Sequence, residues 1–302
     1  MIRAESDEGY AINIPISFHG YRFRDIIGSG STSAVILVID ENTGEKFTAK
    51  IIPKSYVRNK KLHNQIKTEI SILKEVDHPN IVKFHEHFEF TNEYHESYIA
   101  IIMEYCANGD LLSYLNLKRF KDEEQKHKII RQFLDAIKYL HKKGIAHGDI
   151  KPENILLDSE YNAKLTDFGF AKTNEIAGDD EKNGTLFYAA PELFVRGKYN
   201  TFKTDIWSIG ITLYCINQNN FPYIKGNQLF IVDQITSQSF HFAKNVPSSL
   251  KKVFERCTSN ADDRPSIEEL MNDDFFCFND KPTDCFKNDL EQIYSKGENR
   301  YY

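Results

Sequence analysis

The run His147-Gly148-Asp149-Ile150-Lys151-Pro152-Glu153-Asn154 puts an acid, an amine and an amide in one short loop, and Asp167-Phe168-Gly169 begins thirteen residues after Asn154. Carboxylate and amide oxygens are hard donors that suit a divalent cation of the magnesium type. A carboxylate beside an amine can take a proton from a hydroxyl while the amine stabilises negative charge that develops nearby. Each of these residues alone has an ordinary place on a solvated loop. Their spacing is what points to group transfer between phosphate and a hydroxyl.

A second set of residues could hold the phosphate. Gly28-Ser29-Gly30-Ser31-Thr32-Ser33-Ala34-Val35 joins two strand-like segments, and glycine there lets backbone N–H groups approach phosphate with no Cβ in the way. A glycine pair between strands is also the mark of a plain hairpin. A dinucleotide fold would need a helix after the glycines, whereas Val35-Ile36-Leu37-Val38-Ile39 is β-branched and reads as strand.

The elements that must position these groups follow from hydrophobic spacing. Asn42-Thr43-Gly44-Glu45 supplies a turn before Lys46-Phe47-Thr48-Ala49-Lys50-Ile51-Ile52, a strand carrying one lysine in an apolar run. Leu62, Ile66, Ile70 and Leu73 predict an amphipathic helix over 60–75, with Glu69 among its apolar positions. Tyr98 to Tyr105 is a buried-strand candidate. After a hinge near Glu104 to Gly109 the pattern turns helical, with a stripe of Ile130, Phe133, Leu134, Ile137 and Leu140 and an apolar core helix over Asp205 to Ile216. The fold class expected is α+β and bilobal: a small β-rich N-lobe with one helix over 20–104 and a larger helical C-lobe over 105–276. An N-terminal extension, 1–19, and a tail, 277–302, flank them.

Bulk composition narrows the classes. The 302 residues are 41% hydrophobic and 13% aromatic, enough for a sizeable core, and a net charge of -6 gives no support for a nucleic-acid binder. The five cysteines, Cys106, Cys215, Cys257, Cys277 and Cys285, are odd in number and form no CxxC pair, which fits a reducing compartment. No signal-like leader is present, and no apolar run approaches the ~20 residues that span a bilayer. A soluble chain without membrane or nucleic-acid partners is expected, cytoplasmic or nuclear; its oligomeric state is left open.

Taken together, these motifs resemble the eukaryotic protein kinases of the Ser/Thr type, over about 21–276. The resemblance implies ATP and Mg2+ as cofactors and a protein Ser/Thr hydroxyl as acceptor. It implies Asp149 as the base, Lys151 as stabiliser of the transferring phosphoryl group, and Asn154 and Asp167 as metal ligands. Lys50 would contact the α and β phosphates with Glu69 as its partner. The nucleotide pocket would be lined by Gly28, Ser29, Gly30, Ser31, Val35, Ala49, Lys50, Met103, Glu104, Cys106, Asp110, Glu153 and Leu156, the hinge residues Glu104 and Cys106 offering main-chain contacts to adenine. Further expectations are a threonine contact from Thr185 to the Asp149–Lys151 loop, a Glu192–Arg264 salt bridge, an Asp205 anchor beneath the loop, and a packed column of Leu73, Phe84, His147 and Phe168. Cys106 is expected to be a small buried hydrophobe without a redox role.

The sequence departs from the family pattern at Ser33, where a third glycine is usual, and at Gly148, where an arginine is usual. These departures keep open an alternative, an ATP-binding pseudokinase scaffold. Gly148 cannot bind a phosphorylated residue of the activation segment. Between Phe168 and Gly184 the one hydroxyl residue is Thr173, and Asp179, Asp180 and Glu181 stand where a phosphosite is common. Activity without loop phosphorylation is therefore expected. The hinge and Phe221-Pro222-Tyr223 resemble the calcium/calmodulin-dependent and AMP-activated-like group, and Asp110 with Glu153 implies a mild preference for basic residues upstream of the target.

Overall fold

The structure, a computed structural model, describes residues 1–276 apart from Tyr10, Ser31, Tyr56, Arg58, Asn59, Lys118 and Arg119. The expected tail 277–302 and the pocket residue Ser31 thus lie outside the described residues. Alternating, β-branched stretches build the first half. A hairpin of β1 (Ile2–Glu5) and β2 (Ala11–Ile14) precedes β3 (Ser17–Phe18), β4 (Tyr21–Gly30), β5 (Ser33–Asp40), β6 (Lys46–Pro53), helix α1 (Lys60–Glu75), β7 (Phe84–Thr91) and β8 (Ser97–Glu104). Strands β3 to β8 form a six-stranded sheet in the order β3-β4-β5-β6-β8-β7, antiparallel throughout. The segment after the glycines is thus strand, which excludes the dinucleotide arrangement.

Helix α1 buries Ile66, Ile72 and Leu73, while Leu62 and Ile70 are only half-buried. The inward face is therefore turned from the expected stripe. Glu69, also buried, lies within this inward face, among Ile66, Ile72 and Leu73.

Helical periodicity dominates the second half. It holds α2 (Leu111–Asn116), α3 (Glu123–Lys142), the short strands β9 (Ile155–Leu157) and β10 (Ala163–Leu165), β11 (Ile176–Ala177), β12 (Tyr199–Asn200), α4 (Thr201–Gln218), α5 (Gln228–Thr236), α6 (Ser248–Cys257) and α7 (Ile267–Met271). Asp122 caps α3 by accepting from the Gln125 N–H, and His141 and Lys142 sit in its last turn, opposite the carbonyl dipole. Helix α4 is buried on nearly every side, as its apolar sequence requires, and ends at Asn219 with φ of 48°. Among the described residues no helix is long and apolar enough to cross a membrane.

Gly148 has a backbone role that its sequence context does not announce. Its φ is +78°, and a Cβ placed there would lie 2.4 Å from the Phe170 carbonyl oxygen. Next to it, Ala146 and Lys172 exchange two backbone hydrogen bonds of 2.8 and 2.9 Å. Glycine thus lets the loop containing Asp149 lie close against the segment that follows Phe168. A side chain here would meet both the left-handed backbone and a fixed carbonyl, so Gly148→Ala is expected to lower the unfolding free energy by roughly 1–3 kcal/mol. Urea unfolding followed by fluorescence measures it, and an unchanged midpoint would remove glycine's structural role.

Candidate active site

Between the sheet and the helical lobe lies a cleft of about 720 Å³. Of the residues expected to line a nucleotide pocket it collects Gly28, Ser29, Gly30, Val35, Lys50, Met103, Glu104, Cys106, Asp110, Glu153 and Leu156, together with Glu69, Asp149, Lys151, Asn154 and Asp167. The glycines stand at the end of β4 where it pairs with the start of β5, with Gly28 opposite Val35 and Gly30 opposite Ser33. Ser33 is buried beside Gly30.

Ala49 must be corrected. It is fully buried in the core on the far side of the sheet, with Ile36, Ile51 and Ile102. Side chains alternate along a strand, so Lys50 on the cleft face places Thr48, not Ala49, on that face. Thr48 indeed lines the cleft, paired in register with Met103. Period-two counting back from Lys50 is the signal that would have found it.

Lys50 is held in the cleft by two carboxylates, with Nζ 2.6 Å from Glu69 Oε1 and 3.2 Å from Asp167 Oδ1. Burial alone would pull its pKa down, but Asp167 and Glu69 outweigh it and hold the ammonium above the ordinary lysine value. The lysine in turn keeps the Asp167 carboxyl below its usual range against the opposing effect of burial. For Glu69, burial prevails and the pKa rises despite Lys50. Asp167 adopts a left-handed φ of 64°, an uncommon backbone for a non-glycine residue and typical of functional sites.

Asp149 is the centre of a second network. Lys151 Nζ lies 2.7 Å from its Oδ2, and Thr185 donates to Oδ1 through both its hydroxyl, at 2.8 Å, and its amide, at 3.1 Å. Lys151 also donates to the Thr185 hydroxyl at 2.6 Å. The Asn154 NH2 donates to the Asp149 carbonyl at 2.8 Å and to Oδ2 at 3.0 Å, so the amide oxygen is the atom that can face a cation. The Asn154 carbonyl accepts from the Thr166 amide at 3.0 Å, which brings Asn154 beside Asp167. An amide oxygen and a carboxylate suit Mg2+, which takes one or two protein ligands alongside phosphate oxygens and water.

Supporting contacts stand beneath this loop. Asp205, on the buried helix α4, accepts from the His147 amide at 2.8 Å and the Gly148 amide at 2.9 Å. His147 is fully buried, packs 5.2 Å from the Phe168 ring, and bonds the Thr166 carbonyl through Nε2, as a core residue does. Leu73 shares that core and Phe84 packs against it. Arg264 forms a two-pronged pair with Glu192 at 2.5 and 2.9 Å.

The hinge residues are partly engaged elsewhere. Glu104 binds Lys164 at 2.8 Å and the Lys83 amide at 2.9 Å through its side chain, and its own amide donates to the Lys83 carbonyl at 2.9 Å. The Asp110 carboxylate caps α2 through Ser113. Burial pushes the Cys106 thiol up to about 12, so it stays protonated and unreactive.

Comparison with known proteins agrees with this geometry. The protein kinase domain matches residues 21–276. Among curated proteins, CBL-interacting protein kinase 8 of Oryza sativa is 32% identical over 266 residues, covering 87% of this chain and 58% of that protein. CBL-interacting serine/threonine-protein kinase 8 of Arabidopsis thaliana is 32% identical over 262 residues, 85% of this chain and 57% of its own length. Serine/threonine-protein kinase cds1 of Schizosaccharomyces pombe is 33% identical over 232 residues, 73% of this chain and 49% of that one. The chain thus spans about half to three-fifths of the length of these relatives. With the match running across both lobes and the cleft between them, the chain belongs to the protein kinase family.

Proposed function

We propose that this chain is a protein serine/threonine kinase that transfers the γ-phosphate of ATP to a hydroxyl of a protein substrate. The observation that carries the reading is the closed network of Asp149, Lys151, Asn154 and Thr185 facing the Lys50–Asp167 pair across one cleft. Phosphoryl transfer needs positioning and charge neutralisation more than covalent chemistry. Asp149 orients the incoming hydroxyl and takes its proton. Its position between the Lys151 ammonium, the Thr185 hydroxyl and amide, and the Asn154 side-chain amide keeps the carboxylate fixed for that role. Lys151 stabilises the charge on the transferring group, and Lys50 holds the α and β phosphates in a geometry set by Glu69. Mg2+, held by Asn154 and Asp167 with phosphate oxygens, would neutralise the charge that develops on the phosphoryl group.

The pseudokinase alternative draws on Ser33 and Gly148. Neither departure removes a group that this transfer uses, because Ser33 is buried beside Gly30 and Gly148 serves the backbone.

Activity without activation-loop phosphorylation is part of the proposal. The segment is held by its own contacts: β11 pairs antiparallel with β12, and Asp179 accepts from Lys182 Nζ at 2.6 Å and from the Gly197 amide at 2.9 Å. Lys182 also donates to the Val195 carbonyl, and the Thr201 amide binds the Glu175 carbonyl at 2.8 Å. These bonds tie the segment to the start of α4 without a phosphate.

Substrate choice is proposed from Glu153. With Asp110 it places two carboxylates in the cleft lining, where a cationic side chain of the substrate would be attracted. That favours basic residues upstream of the target Ser or Thr.

Three outcomes are expected. Asp149→Asn should lower γ-phosphate transfer by ~10²–10⁴, the span of a lost general base, in a radiolabelled ATP assay; equal signal from both proteins would return the pseudokinase reading. Phosphatase-treated enzyme should retain full activity, and strict dependence on a phosphorylated loop residue would refute the self-held segment. A positional-scanning peptide library should select Arg or Lys upstream of the acceptor, whereas proline-directed or acidic selection would dismiss the role given to Glu153.

A further inference from the structure

Residues 1–20 precede the part of the chain that matches the kinase domain, yet they are built into the N-lobe. In the β1–β2 hairpin Ala4 pairs with Ile12, and Ala4, Ile12 and Ile14 are buried in one core with Phe18, Tyr21 and Ile36. The base of the hairpin is tied to the β7–β8 turn. There the Asn13 amide donates to the Tyr98 hydroxyl at 3.2 Å, the Asn13 side chain to Glu96 at 3.1 Å, and Asn92 to the Asn13 carbonyl at 3.2 Å. The hairpin tip lies at the other end of the lobe, over the glycine loop. Its Asp7 amide donates to the Gly30 carbonyl at 2.9 Å, and its carboxylate accepts from the Ser29 hydroxyl. Asp7 also lines the nucleotide cleft.

We propose that Asp7 is a positioning residue for nucleotide binding: the N-terminal hairpin holds the glycine loop in place through Ser29 and Gly30. The inference rests on the kinase reading of the cleft. A glycine-containing turn is free to sample many conformations, and ordering it on binding costs affinity. The hairpin carries that ordering in advance, because its base is fixed in the core while its tip bonds a hydroxyl and a carbonyl of the loop. The action is through hydrogen bonding and not through charge, since a carboxylate beside a triphosphate would by itself repel it.

The test is steady-state kinetics on the full chain with Asp7→Ala, Asp7→Asn, Ser29→Ala and the Asp7→Ala/Ser29→Ala pair, with the ATP dissociation constant measured separately by calorimetry. Asp7→Ala is expected to raise KM for ATP and the dissociation constant together by roughly threefold to tenfold, the size one net hydrogen bond carries, with a smaller change in kcat. Asp7→Asn keeps an acceptor for Ser29 and should stay within about twofold of wild type. In the Ser29→Ala background, Asp7→Ala should have a smaller effect than it has alone, as contacting residues couple. An unchanged or lower ATP dissociation constant in Asp7→Ala, or full additivity in the pair, would overturn the proposal. Loss of turnover in the wild-type chain with the dissociation-constant pattern intact would instead count against the catalytic reading and leave this one standing.

Discussion

The buried carboxylate of Asp205 is the constraint on which the active-site geometry hangs. It accepts from the amides of His147 and Gly148 and bonds the His141 ring at 2.9 Å, all while 1% exposed. A polar group so deeply buried is tolerable only with several hydrogen-bond partners on it. Two of those partners are backbone amides of the loop that carries Asp149, so α4 sets where Asp149 can stand. Asp149 then aligns Lys151, Asn154 and Thr185. Helix α4 can serve as this datum because its other faces are buried too, leaving it no alternative packing.

Much of this was legible in the sequence because the chemistry is local there. Asp149, Lys151 and Asn154 lie within one turn of chain, and the strand-helix-strand pattern around Lys50 and Glu69 follows from hydrophobic period alone. The four- and three-residue spacing of Leu62, Ile66, Ile70 and Leu73 marked α1, but it could not show that Glu69 is the residue facing Lys50, since partners nineteen residues apart are joined only by the fold. Ala49 was misplaced for a narrower reason. Motif matching reads identity along the chain, whereas the pleat decides the face, and Thr48 shares the face of Lys50. Asp7 carried no motif at all. An exposed acid in a hairpin turn looks like any solvated charge until the register Ala4↔Ile12 aims the turn at Gly30.

Gly148 shows how a missing residue and a present conformation are different facts. From sequence it is an arginine lost, with consequences for phosphate binding. In the fold it is a left-handed backbone that admits the Phe170 carbonyl and completes the Ala146–Lys172 pairing. The two descriptions meet in the activation segment, which lies directly over this approach: Gly148, Lys172, Asn183 and Thr185 line one small cavity.

What holds that segment can be ranked by physical type. The Asp179–Lys182 pair has its carboxylate half exposed, and exposed ion pairs contribute little to stability because water and salt screen them. Its value is geometric: one carboxylate oxygen receives both Lys182 and the Gly197 amide, and so fixes the distance between two loop strands. The backbone pairing of β11 with β12 and the buried Thr201 hydroxyl on the Asn174 carbonyl are shielded better and carry more of the ordering. A phosphate bound by arginine would gather such contacts onto one modifiable charge. Here the contacts are spread over several bonds, most of them to main-chain atoms, that join the segment to the start of α4.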